Sequence, residues 1–318
     1  MRLFRTIVPA VLLALAPLAA MGEEGGVRPD FLNSFPGIAD IDDIMRSVED
    51  FDKSSTQPET PSIDVYQTVL ANLQGSGIPE NFIKNSFSDP NVRIHPEITD
   101  LMTPKPDQPP PTPISYEEYK KLIVTPKRIA DGVKFYGKNK ELLEKISAES
   151  GVDPLILTSL IGVETTYGTN TGKYRVFNAL YTISNTVPRR ASWAAKELAE
   201  LLKLCSRQGK DPLSIYGSYA GAFGFGQFMP SSYNAYAVDY DKDGYADLYA
   251  WPDALASVAN YLIRHGYQAG TADFSANSSV WKALYAYNHS SNYVNSILDL
   301  RLEIRNSRTA ASGVVPLP

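Results

Sequence analysis

The chain has one cysteine, Cys205, in 318 residues, so no intramolecular disulfide can form. Cys205 falls in the helical series Ala194, Leu198, Leu201, Cys205 and reads as a small core hydrophobe rather than a nucleophile. Histidine is almost as scarce. His95, His265 and His289 are scattered, and none stands in an H-E-x-x-H zinc pattern. There is no G-x-S-x-G elbow and no Cys–His pair, which argues against acyl-transfer hydrolysis. Positive charge is not in excess. A net charge of −5 offers no broad basic surface, so nucleic acid is not an expected partner. Strand alternation never lasts more than a few residues, and no repeat occurs. Beyond Ile7–Ala20 no long apolar run exists, and that run is too short for a comfortable membrane span.

What is present reads as an exported helical protein. Hydrophobic content of 43% with 20% charged residues is ordinary for a globular chain, enough for one large core or two smaller lobes. Residues 1–22 have a charged start (Arg2, Arg5), an apolar centre and small residues at the end, the pattern of a secretory signal. An uncleaved anchor is the alternative. No cysteine follows the run, so lipid attachment through cysteine there is excluded, and export without disulfides suits a bacterial periplasm at least as well as the outside. Residues 23–63 are acidic and irregular, expected as a flexible segment with one short helix near Ile41–Phe51.

A helical element is expected over 64–102, with helices from Asp64 and over Pro79–Phe87. A proline-rich strap follows over 103–113, and a main body over 114–306. Within the body, Ser115 and Glu118 form a capping box. Helices are expected over Lys127–Gly137, Lys138–Ser150, Asp153–Gly168, Pro188–Arg207, Asp253–His265, Trp281–Tyr287 and Tyr293–Arg305. The tail 307–318 is expected to be disordered. The fold class is mainly α.

The helix beginning at Asp153 carries one acid among aliphatic residues. Asp153 is the expected N-cap, Pro154 fits the first helical position, and Gly168 is the expected left-handed C-terminal residue. Glu164 shares a helical face with Leu157, Leu160 and Ile161. Desolvation raises a carboxyl pKa, and a carboxyl kept protonated near neutrality can act as a general acid. For this helix alone, a capped or salt-bridged glutamate at the helix edge is the alternative.

Three further segments carry chemical signals. In DYDKDGYADLYAWPD, Asp239, Asp241 and Asp243 alternate ahead of Gly244, like positions 1, 3, 5 and 6 of an EF-hand loop. Tyr245 would offer a backbone carbonyl and Asp247 stands at position 9, but position 12 is Ala250; Asp253 can close a lengthened loop. A solvated acidic turn without metal is the alternative. GSYAGAFGFGQFMPSSY (217–233) interleaves four glycines with aromatics, so backbone can approach a ligand while Gln227 both donates and accepts hydrogen bonds. Its spacing does not fit a dinucleotide fingerprint, and a tight structural loop is the alternative. AYNHSSNYV (286–294) sets Tyr287, Asn288 and Tyr293 at an expected helix break, otherwise a surface connection.

In combination the chain resembles the membrane-bound lytic transglycosylase B family of bacterial cell-wall enzymes. The resemblance rests on GVETTYG (162–168), PRR (188–190), the glycine-rich segment, the Asp-rich loop with Asp253, SVANYLIRHG (257–266) and YNHS (287–290), and spans about residues 64–302. It implies a lysozyme-like catalytic domain over 64–306, with helical additions and an EF-hand-like calcium loop around a glycan groove. It also assigns roles. Glu164 corresponds to the catalytic acid. Tyr119, Arg189, Arg190, Ser218, Gln227, Tyr261, Tyr287, Asn288 and Tyr293 correspond to substrate-binding groups. Asp239, Asp241, Asp243, Tyr245 and Asp253 correspond to ligands of a structural calcium ion, with no cofactor needed for the chemistry. Residues 23–63 have no counterpart.

The implied reaction cleaves the β-1,4 bond between N-acetylmuramic acid and N-acetylglucosamine, leaving a 1,6-anhydromuramoyl end. One glutamate serves as acid and then as base. Peptidoglycan strands are the implied partner, cell-wall synthesis or division proteins are further candidates, and a monomer is expected. The competing readings are a hydrolytic muramidase and a non-catalytic glycan-binding scaffold.

Overall fold

The structure, a computed structural model, describes residues 63–103 and 114–311. The signal-like start, the segment up to residue 62 with its expected short helix, the strap from residue 104 and the tail from residue 312 lie outside the described residues.

Three short helices come first: α1 (Val65–Asn72), α2 (Glu80–Ser88) and α3 (Pro96–Met102). Asp64 caps α1 by accepting from Gln67 N–H at 3.1 Å. The body opens with α4 (Tyr116–Ile123), which carries the expected Ser115/Glu118 capping box, then α5 (Pro126–Lys138) and α6 (Lys140–Ser150). α7 (Pro154–Thr165) lies at the centre and bears Glu164. Asp153 Oδ1 accepts from Leu155 N–H at 2.7 Å and Ile156 N–H at 3.1 Å, which satisfies the orphan donors of the first turn. Every residue from Leu155 to Val163 is buried, so α7 has no solvent face; it packs against α5 and the last helix, α13 (Ser291–Ala311).

Between them come strand β1 (Tyr174–Arg175), α8 (Val176–Thr186), a single 3-10 turn Pro188–Arg190 and α9 (Ala191–Gln208). Strand β2 (Tyr216–Gly217), α10 (Pro230–Tyr236), α11 (Trp251–Arg264) and α12 (Ser279–Tyr287) follow. The only sheet among the described residues is β1 with β2, antiparallel, pairing Tyr174 with Gly217 and Arg175 with Tyr216. Isolated bridges Gly217–Phe223 and Phe223–Phe228 fold the glycine-rich segment onto itself. A Cβ on Gly217 would stand 2.1 Å from Ala222 O, so only glycine fits that crossing.

Four expectations are corrected. α3, α8 and α10 are helices that the sequence pattern does not announce; α3 and α10 are short, seven residues each, and α8 is rich in β-branched and aromatic residues and lacks a side-chain cap. α11 begins at Trp251, two residues before Asp253. α13 runs to Ala311, into the stretch expected to be disordered.

The fourth concerns the end of α7. The helix stops at Thr165, and Thr166, Tyr167 and Gly168 all have positive φ (51°, 58° and 80°). Left-handed backbone costs a non-glycine residue about 1–2 kcal/mol. Here it turns Tyr167 back onto its own helix, where a Cβ on Gly162 would come within 2.6 Å of the ring. Tyr167 Oη donates to Arg128 O at 2.9 Å, so burial and a hydrogen bond offset the strain.

Candidate active site

Glu164 is half-buried, at the end of a helix whose residues from Leu155 to Val163 are all buried. Burial raises its pKa from 4.5 to about 7, opposed by a hydrogen bond from Tyr293. Tyr293 Oη donates to Glu164 Oε1 at 2.5 Å across 129 residues of sequence. Among the described residues neither a cation nor a second carboxylate contributes to the shift. With the phenol on Oε1, Oε2 is the oxygen left to carry a proton.

Two more tyrosines feel the Glu164 charge. Burial and then Glu164 push the Tyr119 and Tyr287 phenols upward. Tyr119 Oη is buried without a hydrogen-bond partner in good geometry. Tyr287 Oη donates to Gly226 O at 2.5 Å, which ties α12 to the glycine-rich segment. Tyr261 donates to Ala286 O at 2.9 Å and stands 4.7 Å from the Tyr287 ring. Asn288 closes α12, its N–H donating to Leu284 O. The four residues named from SVANYLIRHG and YNHSSNY thus form one wall, with Tyr293 reaching the acid.

The opposite side is the glycine-rich segment. Gln227 has φ 53°, and its amide donates to Thr171 O at 3.2 Å and Gly224 O at 3.0 Å. Ser218 is buried; its hydroxyl accepts from Ala222 N–H at 3.1 Å. Arg190, its pKa lowered by burial, lies 5.7 Å over Trp193 and within electrostatic reach of Tyr219, next to Ser218. Arg189 is exposed and donates to Met102 O at 3.0 Å, linking the 3-10 turn to α3. Neither arginine is among the groups that shift Glu164.

The Asp-rich loop is a separate centre. Carboxylate oxygens of Asp239, Asp241 and Asp253 lie within 4.8 Å of one another. Asp243 is not in that cluster: its Oδ1 accepts from Tyr245 N–H at 3.2 Å, and its own N–H donates to Asp239 Oδ1 at 3.1 Å. Asp253 is buried and holds both ends of the loop, accepting from Tyr240 N–H at 2.8 Å and Asp247 N–H at 2.7 Å. Three converging carboxylates fit a hard, oxygen-seeking divalent cation.

Several residues near the site were not read from the sequence. Thr165, beside the acid, donates from Oγ1 to Phe225 O at 3.0 Å. Glu197, on α9, is a second buried glutamate; burial raises it to about 7. Its carboxylate accepts from Ser231 Oγ at 2.7 Å and Ser231 N–H at 3.0 Å, at the start of α10.

A family model described as the transglycosylase SLT domain matches residues 64–279, more than half of the chain. The chain belongs to the transglycosylase SLT-domain family. The membrane-bound lytic murein transglycosylase B of Escherichia coli strain K12 is 43% identical over 152 residues, 48% of this chain and 42% of that protein. The chain therefore matches less than half of that relative's length. Soluble lytic transglycosylase SltB1 of Pseudomonas aeruginosa superposes with TM-score 0.69 at 31% identity, over 77% of this chain and 99% of that one. The Escherichia coli lytic transglycosylase Slt35, in a complex with calcium, superposes with TM-score 0.68 at 26% identity, over 78% and 95%. The matched SLT-domain span contains Glu164, the glycine-rich segment and the Asp-rich loop; Tyr287, Asn288 and Tyr293 lie just beyond it.

Proposed function

We propose that this SLT-domain protein is a lytic transglycosylase of peptidoglycan, with Glu164 as its single acid and base. The observation that carries the reading is a lone carboxyl, raised to about 7 by burial, with a phenol as its hydrogen-bond partner and no second carboxylate acting on it. Protonated Glu164 gives its proton to the glycosidic oxygen between N-acetylmuramic acid and N-acetylglucosamine. The C1–O bond breaks, and the N-acetylglucosamine side leaves with a free hydroxyl. Glycosidases commonly meet the charge at C1 with a second carboxylate; here the muramic 2-acetamido oxygen takes that role. Ionised Glu164, steadied by the Tyr293 phenol, then removes the proton from the C6 hydroxyl of the same sugar. That oxygen bonds to C1 and releases the acetamido group. The glutamate regains its proton, no water is consumed, and a 1,6-anhydro ring results.

Tyr119, Gln227, Tyr261, Tyr287 and Asn288 hold the sugars, and Arg189, Arg190 and Ser218 contact the outer parts of the strand. Residues 64–306 act as one unit, exported to the periplasm. The test is mass spectrometry of fragments released from purified peptidoglycan. Anhydromuramoyl ends, one water lighter than hydrolytic ends, are expected. Hydrolytic ends alone would make the protein a muramidase, and binding without release would make it a scaffold.

Asp239, Asp241 and Asp253 would hold a structural calcium ion, which would fix the segment between the glycine-rich wall and α11. Chelation is expected to lower the melting temperature more than the activity per folded molecule. A melting curve unchanged by EDTA would remove the ion from the account.

A further inference from the structure

Thr165 sits between the acid and the loop that faces it. Its side chain is buried completely, and its hydroxyl is used in both directions. It accepts from Gly168 N–H at 3.0 Å, which closes the left-handed turn after α7. Its proton points to Phe225 O at 3.0 Å, with Ile161 O at 3.3 Å as a weaker acceptor one turn back. Phe225 is the first of three consecutive residues fastened to the site. Gly226 O takes the Tyr287 phenol, and Gln227 reaches Thr171 O and Gly224 O. Phe225 is further pinned by its N–H to Leu248 O at 2.8 Å and by stacking 3.8 Å from Trp251. Among these ties, the one from Thr165 joins the residue next to Glu164 to the loop carrying Gln227.

We infer that Thr165 is a positioning residue: its hydroxyl sets the separation between Glu164 and the Phe225–Gln227 loop. The inference rests on the transglycosylase reading for its kinetic consequence, though not for the tie itself. Displacement of about 1 Å between reacting groups can cost on the order of a hundred-fold in rate. A valine has the shape of threonine without the donor, and serine has the donor without the methyl group.

The experiment compares Thr165→Val, Thr165→Ala and Thr165→Ser with the wild type, each characterised first by its melting transition. Alanine keeps the test open should valine fail to fold. Turnover is measured on soluble glycan strands of alternating N-acetylglucosamine and N-acetylmuramic acid, and amide hydrogen exchange is measured over 223–228. Valine and alanine are expected to lower kcat by about ten- to a hundred-fold with KM changed less than about two-fold. Exchange over 223–228 is expected to accelerate in both. Serine is expected to restore both properties. Wild-type turnover and loop protection in the valine variant would overturn the inference. So would a serine variant as impaired as valine, because the hydroxyl would then not be the cause. A wild type that releases no anhydromuramoyl ends would refute the proposed reaction alone; the exchange result still decides the role of Thr165.

Discussion

Glu164 on α7 and Glu197 on α9 are both raised to about 7 and both for the same first reason, burial. Their surroundings differ. Glu197 is closed in: Ser231 donates to both of its oxygens, and Glu200 adds a like charge nearby. Its carboxylate serves as the N-terminal acceptor of α10 and has no oxygen to spare. Glu164 is half-buried and takes a bond from Tyr293 on Oε1, and among the described residues no hydrogen bond reaches its Oε2. A raised pKa therefore does not identify an acid catalyst. What separates the two is a carboxyl oxygen left without a hydrogen bond on a half-buried side chain.

The sharpest way to break this contrast is to neutralise each glutamate in turn. Glu164→Gln is expected to lower turnover of peptidoglycan by about a thousand-fold or more, since it removes both proton transfers. Glu197→Gln keeps an acceptor for Ser231 N–H and a donor for Ser231 Oγ, so activity per folded molecule is expected within about three-fold of wild type. Equal losses in the two variants would abolish the distinction. The pH profile is the next largest effect. The first step needs a protonated carboxyl, so kcat/KM is expected to fall about ten-fold per unit above pH ~7. Glu197→Gln should leave that limb in place. A limb that moved with it would assign the titration to the wrong glutamate.

Stability offers a milder test in which the two should behave alike. Each carboxyl binds its proton more tightly folded, near 7, than unfolded, near the model value 4.5. Between those values the native state keeps protons that the unfolded chain has released. Stability therefore falls as pH rises across that window and levels off above it. The ceiling is about 3 kcal/mol per glutamate, less for Glu164 because water reaches it. Either glutamine variant is expected to flatten part of this slope, as measured by urea unfolding at pH 5 and pH 8. If neither does, the shifts are absent.

Why one glutamate was legible and the other not is a matter of context. The Glu164 helix announces itself through Asp153–Pro154 and through the aliphatic face of Leu157, Leu160 and Ile161. Its partner Tyr293 came into view only with the resemblance carried by YNHS and its surroundings, because 129 residues separate the two. Glu197 lies in KELAELLK, where glutamates read as a solvated face. A signal was there: Glu197 is three residues after Ala194 and four before Leu201, on the inward series. Ser231, which makes that burial tolerable, is 34 residues on, and no local rule links them. The same limit applies elsewhere. Gly168 marked the end of α7 but not the two left-handed residues before it, which depend on Tyr167 finding Gly162 and Arg128.

The finest discrimination comes from removing one hydrogen-bond donor from each glutamate. Tyr293→Phe takes the only bond from Glu164 Oε1. That bond lowers the carboxyl pKa, so its loss should raise it, moving the alkaline limb of kcat/KM upward by up to about one unit, or ~1.4 kcal/mol. It should also reduce kcat, because the ionised glutamate awaiting the C6 proton loses its support. Ser231→Ala takes the side-chain bond from Glu197 and leaves the backbone one. Its carboxyl should also rise, but the readout moves to stability: a loss of about 1 kcal/mol that is larger at pH 8 than at pH 5, because only the ionised form misses the donor. The activity limb should stay where it was. If Ser231→Ala shifted the limb, or Tyr293→Phe left it unmoved, the unbonded oxygen of Glu164 would no longer distinguish the two glutamates.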